Sequence, residues 1–239
     1  MDIEIKNLFN LDETIAKDLL NNHTYPWECL PKIHDFIIQL GKSLDKDIYE
    51  EREENVWIAK SAKIAPTASI TGPVIIDENA EIRHCAFIRG DVIVGKSAVV
   101  GNSVELKNSI LFNETEVPHF NYVGDSILGY KSHMGAGSIT SNIKSDKKDI
   151  IIKFNKNIYN YSDESNYLYK SEEQNINIET HLAKVGAFLG DFVEVGCNSV
   201  LNPGTIIGKN SSVYPLSSVR GVIPENSIYK NKDKIVKKV

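Results

Sequence analysis

Cysteine is scarce in this sequence and poorly arranged for structural chemistry. Cys29, Cys85 and Cys197 are the only three, and no two stand at CxxC spacing. An odd set of this kind builds neither a disulfide framework nor a cysteine-based zinc site. Long apolar runs are missing as well: no stretch approaches the roughly 18 apolar residues that a membrane-spanning helix needs, so no membrane partner is expected. The opening MDIEIKNLFN has neither the basic start nor the apolar centre of a secretory leader, and cytoplasmic residence is the expectation. Positive charge is not in excess either. Lys and Arg number 27 against 32 Asp and Glu, a net charge of −5, so no global basic field points to nucleic acid. Finally, no G-x-G-x-x-G and no phosphate-loop pattern occurs anywhere in the chain.

What is present divides into three parts: residues 1–53, 54–228 and 229–239. The first part reads as helical. Asp12 is placed to cap a short helix carrying Ile15, Leu19 and Leu20, and Leu30, Ile33, Phe36, Ile37 and Leu40 recur on one face of a second. The charged run DIYEEREEN reads as a solvated link, and the last residues, KNKDKIVKKV, as a solvated basic tail.

From residue 58 the spacing changes. An aliphatic residue returns every sixth position through Ile58, Ile64, Ile70, Ile76, Ile82, Ile88, Val94, Val100, Leu106 and Phe112. A mostly small residue follows each after four, as at Ala62, Ala68, Ala80, Ala86 and Ala98. A second array runs through Leu189, Val195, Leu201, Ile207, Val213 and Val219. Six is not a multiple of 3.6, so an amphipathic helix fails. The pattern predicts a mainly β chain folded as a left-handed parallel β-helix of hexapeptide type, in which three hexads make a coil and like residues stack inward. Each coil buries its inner face only against its neighbours, so the N-terminal helices are expected to cap or flank one end.

The repeat stumbles at EVPHFNYVGD. After Phe112 the sixth position is Pro118, and the beat resumes only if Tyr122 takes the inward or corner position. That predicts one coil two residues short, with a notch beside His119. Between the arrays, roughly from 140 to 184, lies an excursion too long for an ordinary connection. It is expected to be an ordered β-rich flap, reaching a neighbouring subunit.

The stretch GNSVELKNSILFNETEVPHFNYVGDSILGYKSHMGAGSITSN closely resembles the C-terminal acetyltransferase domain of the bifunctional enzyme family that makes UDP-N-acetylglucosamine. That family reads approximately G-N-F-V-E-x-K, H-x-x-Y-x-G-D, then G-A-G-T-x-T-x-N. The resemblance is strong over about 82–142 and weaker over 185–228. It implies acetyl transfer from acetyl-CoA to an amino group on a sugar phosphate or nucleotide-linked sugar, by a homotrimer with sites between subunits. His119 matches the catalytic base, a role that suits an imidazole titrating near neutrality, and Glu105 matches an acidic position that would orient it. Arg89 and Lys107 match cations that hold the sugar phosphate, and Tyr122 and Asn142 match positions that place the amino sugar and the acetyl group. The backbone at Ala136 matches part of the coenzyme groove. No metal is implied.

Several positions depart from the family. A lysine three residues before the histidine is Glu116 here, an acceptor-touching asparagine falls on His133, and a coenzyme-contacting serine falls on Cys197. The aromatic and glycine after the T-x-N run are lost in TSNIKS. The family's nucleotidyltransferase half, with its glycine-rich loop, has no counterpart in the fifty helical residues before the repeat, so pyrophosphorylase activity is not expected. Two other readings stand beside this one. AFIRGD also resembles γ-class carbonic anhydrase-like β-helices, whose three-histidine zinc site needs a pair five apart; the residue five beyond His119 is Gly124. The third is a catalytically silent β-helix that binds a nucleotide sugar or scaffolds a partner.

Overall fold

The computed structural model describes residues 3–155, 160–161, 168–169, 175–231 and 234–238, and side chains outside 154–175. Its body is a left-handed parallel β-helix. Strands of two to seven residues stack in parallel register, as in Val56–Val74–Val92 and Lys63–Glu81–Val99. The inward column is aliphatic and fully buried, from Ile58 and Ile76 through Leu106, Val117 and Val123 to Leu201 and Val219. At the corners, single residues take a left-handed backbone, among them Cys85, Ser103, Phe120 and Asn198.

One face of the prism reads as continuous apolar runs: VWIA, VII, VIV, AFL and TII, all buried. Strands buried on both sides have no reason to alternate. Their outward residues Trp57, Ile75, Ile93, Ile110, Ile127, Phe188 and Ile206 meet Leu8, Phe9, Leu20, Trp27, Ile33 and Ile37 of the N-terminal segment. Three short helices, α1 (Ile5–Leu8), α2 (Lys17–Asn21) and α3 (Ile33–Gly41), are therefore laid along this face. They do not cap an end, as the repeat alone suggested, because the apolar face gives them far more surface to bury than an end would. The carboxylate of Asp191, almost wholly buried, accepts the Asn10 N–H at 2.7 Å and the Tyr130 N–H at 3.0 Å, and so ties this segment to a corner.

The two charged segments read as solvated are both strands. Tyr49–Glu53 pairs antiparallel with Val56–Ala59 and closes the first edge of one sheet. Ser227–Asn231 pairs with Lys234–Lys237 and closes the last edge of another. Tyr229 points into the core, and Ile235 packs on it. Unpaired sheet edges invite association, and charged antiparallel strands blunt both of these.

The beat also differs from the expectation. Inward positions are Leu106, Leu111, Val117, Val123 and Leu128, so the period contracts from six to five twice. Phe112 is buried, but on the helical face against Phe9, with ring centroids 5.1 Å apart. Pro118 and Tyr122 face outward beside inward Val117 and Val123. Each contraction removes one residue from the same prism edge, at Asn108 and at Asp125, both left-handed (φ 46° and 50°). No coil loses two residues beside His119. The shortening lies at the other end of the face that His119 borders.

That edge is also where the insertion leaves. It departs after Asn142 and returns at Val185, with Ile143 bridged to Lys184. Its stem is an antiparallel pair, Ile151–Asn155 with Asn175–Glu179, and Ile150 and Ile152 are buried against the cluster that covers the helical face. Asn160–Tyr161 pairs with Leu168–Tyr169. The rest of the expected flap, at 156–159, 162–167 and 170–174, lies outside the described residues.

Strands pack most closely just before His119. A Cβ at Gly101 would lie 1.6 Å from the Pro118 carbonyl oxygen, a backbone atom that cannot swing away. Gly101→Ala is expected to destabilise the fold by at least about 3 kcal/mol, as severe overpacking does. Chemical denaturation against wild type checks it.

Candidate active site

His119 ends the strand Glu116–His119 and lies beside Asn102 of the preceding coil. Its backbone is fixed from inside the prism. The His119 N–H donates to Asn121 Oδ1 at 3.1 Å, and the Asn121 amide donates to the carbonyls of Gly135 (2.9 Å) and Ser138 (3.0 Å). A buried amide here takes the position that Ala86 and Val104 hold on the preceding coils and Ser138 on the next, and it joins two coils at the corner. The imidazole itself is exposed and has no hydrogen-bond partner among the described residues. Next to it, Phe120 holds a left-handed backbone (φ 52°) with 62% of its surface exposed. A bulky residue in that conformation is strained, and such strain gathers at functional sites.

Two residues expected at the coenzyme groove fall into line below His119. Gly137 N–H donates to the His119 carbonyl (3.0 Å) and Asn198 N–H to the Ala136 carbonyl (2.9 Å), so His119, Ala136 and Cys197 occupy one corner column on successive coils. The N–H groups of Ala136 and Cys197 have no acceptor among the described residues. Cys197 is exposed.

Beyond the corner the chain enters a second face with two outward columns. Register places Phe87, Glu105, Tyr122 and Ile139 in one, and Arg89, Lys107, Gly124 and Ser141 in the next. Glu105 does not touch the imidazole. Its carboxylate takes a hydrogen bond from Arg89 Nη1 at 2.6 Å, because the guanidinium stands on the same face whereas His119 lies around the corner. Arg89 is thereby paired too. Burial raises the Tyr122 phenol above its ordinary pKa, with the charges of Asp125 and Glu105 adding to the shift. It stays a neutral donor across the physiological range.

The center of the polar network is a residue the sequence reading left out of the site. Asp125 is 3% exposed and carries the second contraction. Its Oδ1 accepts Asn108 Nδ2 at 2.8 Å and its Oδ2 accepts Asn142 Nδ2 at 2.5 Å. Lys107 Nζ lies 3.8 Å from Oδ1. The Asn142 amide also donates to the Tyr122 hydroxyl at 3.2 Å. Asn108, Asp125 and Asn142 thus form a ladder up the shortened edge, since each deletion brings a corner side chain over the one before. The shared-edge signal was available in the sequence: each member is Asn or Asp, types that tolerate the left-handed backbone.

His133 stands elsewhere. It stacks under Glu116 on the face before the corner, and its Nδ1 lies 2.9 Å from Glu194 Oε2. Within one chain it is not gathered with Tyr122. His84 Nδ1 lies 2.6 Å from Thr67 Oγ1, and among the described residues no three His, Cys, Asp or Glu converge on one point.

A family model described as the GMPPB C-terminal domain matches residues 70–153. The bifunctional protein GlmU of Methanococcus maripaludis strain S2 is 30% identical over 92% of this chain and 49% of its own length. The GlmU of strain C7 is 35% identical over 90% of this chain and 48% of its own. A solved structure of AntD, an N-acyltransferase from Bacillus cereus with dTDP and coenzyme A, aligns with 80% of this chain and 90% of its own at 16% identity and TM-score 0.33. The chain spans about half the length of the curated relatives it matches. Over that half, it resembles the C-terminal left-handed β-helix acetyltransferase domain of the bifunctional UDP-N-acetylglucosamine pyrophosphorylase/glucosamine-1-phosphate acetyltransferase family.

Proposed function

We propose that this chain transfers an acetyl group from acetyl-CoA to the amino group of a sugar phosphate or nucleotide-linked sugar, with His119 as general base. The observation that carries the reading is the exposed imidazole, without a hydrogen-bond partner among the described residues, at a corner that Asn121 locks from within. An amine attacking the thioester carbonyl must shed a proton as its bond to carbon forms. His119 takes that proton and returns it to the sulfur as the carbon–sulfur bond breaks, so the base ends as it began. Peptide N–H donors without an acceptor among the described residues, at Ala136 and Cys197, suit the coenzyme column, and the Ala136 N–H suits the oxyanion that develops on the carbonyl. Tyr122 and Asn142 place the acceptor, and Lys107 and Arg89 flank its sugar on the preceding coils.

Glu105 acts through Arg89 in this scheme, and the imidazole relies on the corner backbone for its orientation. Glu116, exposed at the rim, carries a charge opposite to the family's lysine there. That favours an acceptor other than glucosamine 1-phosphate. The assembly is a trimer in this proposal, with neighbouring prisms completing the groove.

Titration of acetyl-CoA by calorimetry tests the coenzyme column. Binding in the micromolar range is expected, and Cys197→Trp, which fills the column with an indole, is expected to weaken it about tenfold or more. No binding at millimolar coenzyme would replace the transferase with a silent scaffold.

A further inference from the structure

Resting on that reading, the outward column that begins at Arg89 and Lys107 continues through Gly124, Ser141 and Asn202 to Arg220. Its two ends differ in charge balance. Arg89 is matched by Glu105 and Lys107 by Asp125. Arg220 is exposed, and among the described residues its guanidinium has no ion-pair or hydrogen-bond partner. It borders a pocket of about 290 Å³ lined by Ser141, Ile143, Lys144, Ser145, Asp146, Asn202 and Pro203. This pocket exists because the insertion leaves the prism at Asn142 and folds its first residues over the next coils.

The lining has two kinds of wall. Lys144 and Arg220 supply positive charge, while Ile143 and Pro203 supply apolar surface. Asp146 is already committed: its Oδ1 accepts the Lys148 N–H at 3.1 Å and lies 3.7 Å from Lys144 Nζ. The Lys148 N–H, and secondarily the nearby lysines, hold its carboxyl below the ordinary range. Ser141 and Ser145 hydroxyls have no protein partner among the described residues. An uncompensated guanidinium with free hydroxyls beside it suits a phosphate oxygen.

Position decides which phosphate. The pocket adjoins the Asn142 edge, across the face from the His119–Ala136–Cys197 column, so it lies on the acceptor's side. Strands stack about 4.8 Å apart, which puts Arg220 roughly 14 Å along the prism from the Tyr122 strand. A sugar 1-phosphate whose amine sits at His119 is too short to reach it. A sugar joined through a diphosphate to a nucleoside is long enough. We propose that the Arg220–Lys144 pocket is a second anion site that takes a phosphate of a nucleoside-diphosphate-linked amino sugar, making that class the acceptor.

The test pairs binding with turnover in wild type and Arg220→Ala, an exposed substitution whose fold is checked by its melting curve. UDP, dTDP and GDP are titrated by calorimetry at physiological salt, where a distant surface charge is screened but a direct contact is not. At least one should bind wild type, and Arg220→Ala should weaken it about tenfold, as loss of a charge-assisted hydrogen bond does. KM for the matching nucleotide-linked amino sugar should rise by a similar factor, with KM for acetyl-CoA and for amino sugar 1-phosphates unchanged. No nucleotide binding to wild type, or equal binding to both proteins, overturns the site. A KM change confined to acetyl-CoA overturns the acceptor assignment and gives the pocket to the coenzyme. Arg220-dependent nucleotide binding without acetyl transfer to any acceptor would leave the pocket standing and remove the transferase reading.

Discussion

His119→Ala should lower kcat for acetyl transfer by about 10³-fold while leaving the prism folded, the loss typical of removing a positioned general base. The fold is insensitive to this change for a visible reason. The side chain is exposed and makes no hydrogen bond among the described residues, whereas the corner is held through the His119 backbone by Asn121 and Gly137. Coenzyme affinity should therefore survive, since the peptide groups at Ala136 and Cys197 stay in place. Steady-state kinetics together with a melting curve separate the two effects. Turnover within a few-fold of wild type would leave the imidazole without a role. His119→Asn is a useful companion, because it keeps polar bulk at the corner and still cannot accept the amine's proton.

Asp125→Ala is the second large effect, and it should appear in stability and in acceptor binding together. Removing the carboxylate strips the acceptor from the Asn108 and Asn142 amides at a nearly sealed position and leaves Lys107 without its counter-charge. The loss of hydrogen bonds to a buried charged group should cost about 3 kcal/mol, or roughly 6–12 °C in melting temperature for a chain of this size. In the surviving folded protein the Asn142 amide is free to rotate, and the Tyr122 hydroxyl loses a fixed neighbour. KM for the acceptor should rise about tenfold with KM for acetyl-CoA unchanged. Asp125→Asn should recover part of the stability, because its single amide oxygen can accept only one of the two donors well.

The period of six makes the β-helix legible in the sequence. Identical inward aliphatics at fixed spacing have no other economical use. The helical face was legible less directly: Trp57, Ile75, Ile93 and Ile110 sit beside inward residues, and in a linear reading they look like excess apolar content. Phe112 counts as inward in that linear reading, yet it faces the N-terminal helices, as Ile110 does. Periodicity reports which residues are buried but not on which side, and a one-residue contraction reverses the two.

The same ambiguity displaced the notch. Two single deletions far apart in sequence, at Asn108 and Asp125, sum to the shift that a two-residue loss at Pro118–Tyr122 would give. Only the register of the stacked strands separates these cases. The terminal strands were hidden because edge strands are charged by necessity, and charge in sequence reads as solvation. Among the proposed site residues, the motif brought His119, Tyr122 and Asn142 into view. It ended on Asp125 without giving it a role and left Asn121 unremarked, since their work is hydrogen bonding between coils, to residues 14 or 17 positions away.

The central claim is acetyl transfer at the His119 corner. Release of free coenzyme A thiol from acetyl-CoA, followed against a panel of amino sugar 1-phosphates and nucleotide-linked amino sugars, tests it most directly. Acceptor-dependent thiol release that vanishes in His119→Ala is the predicted result. Thiol release with no acceptor dependence, or none with any member of the panel, would contradict it.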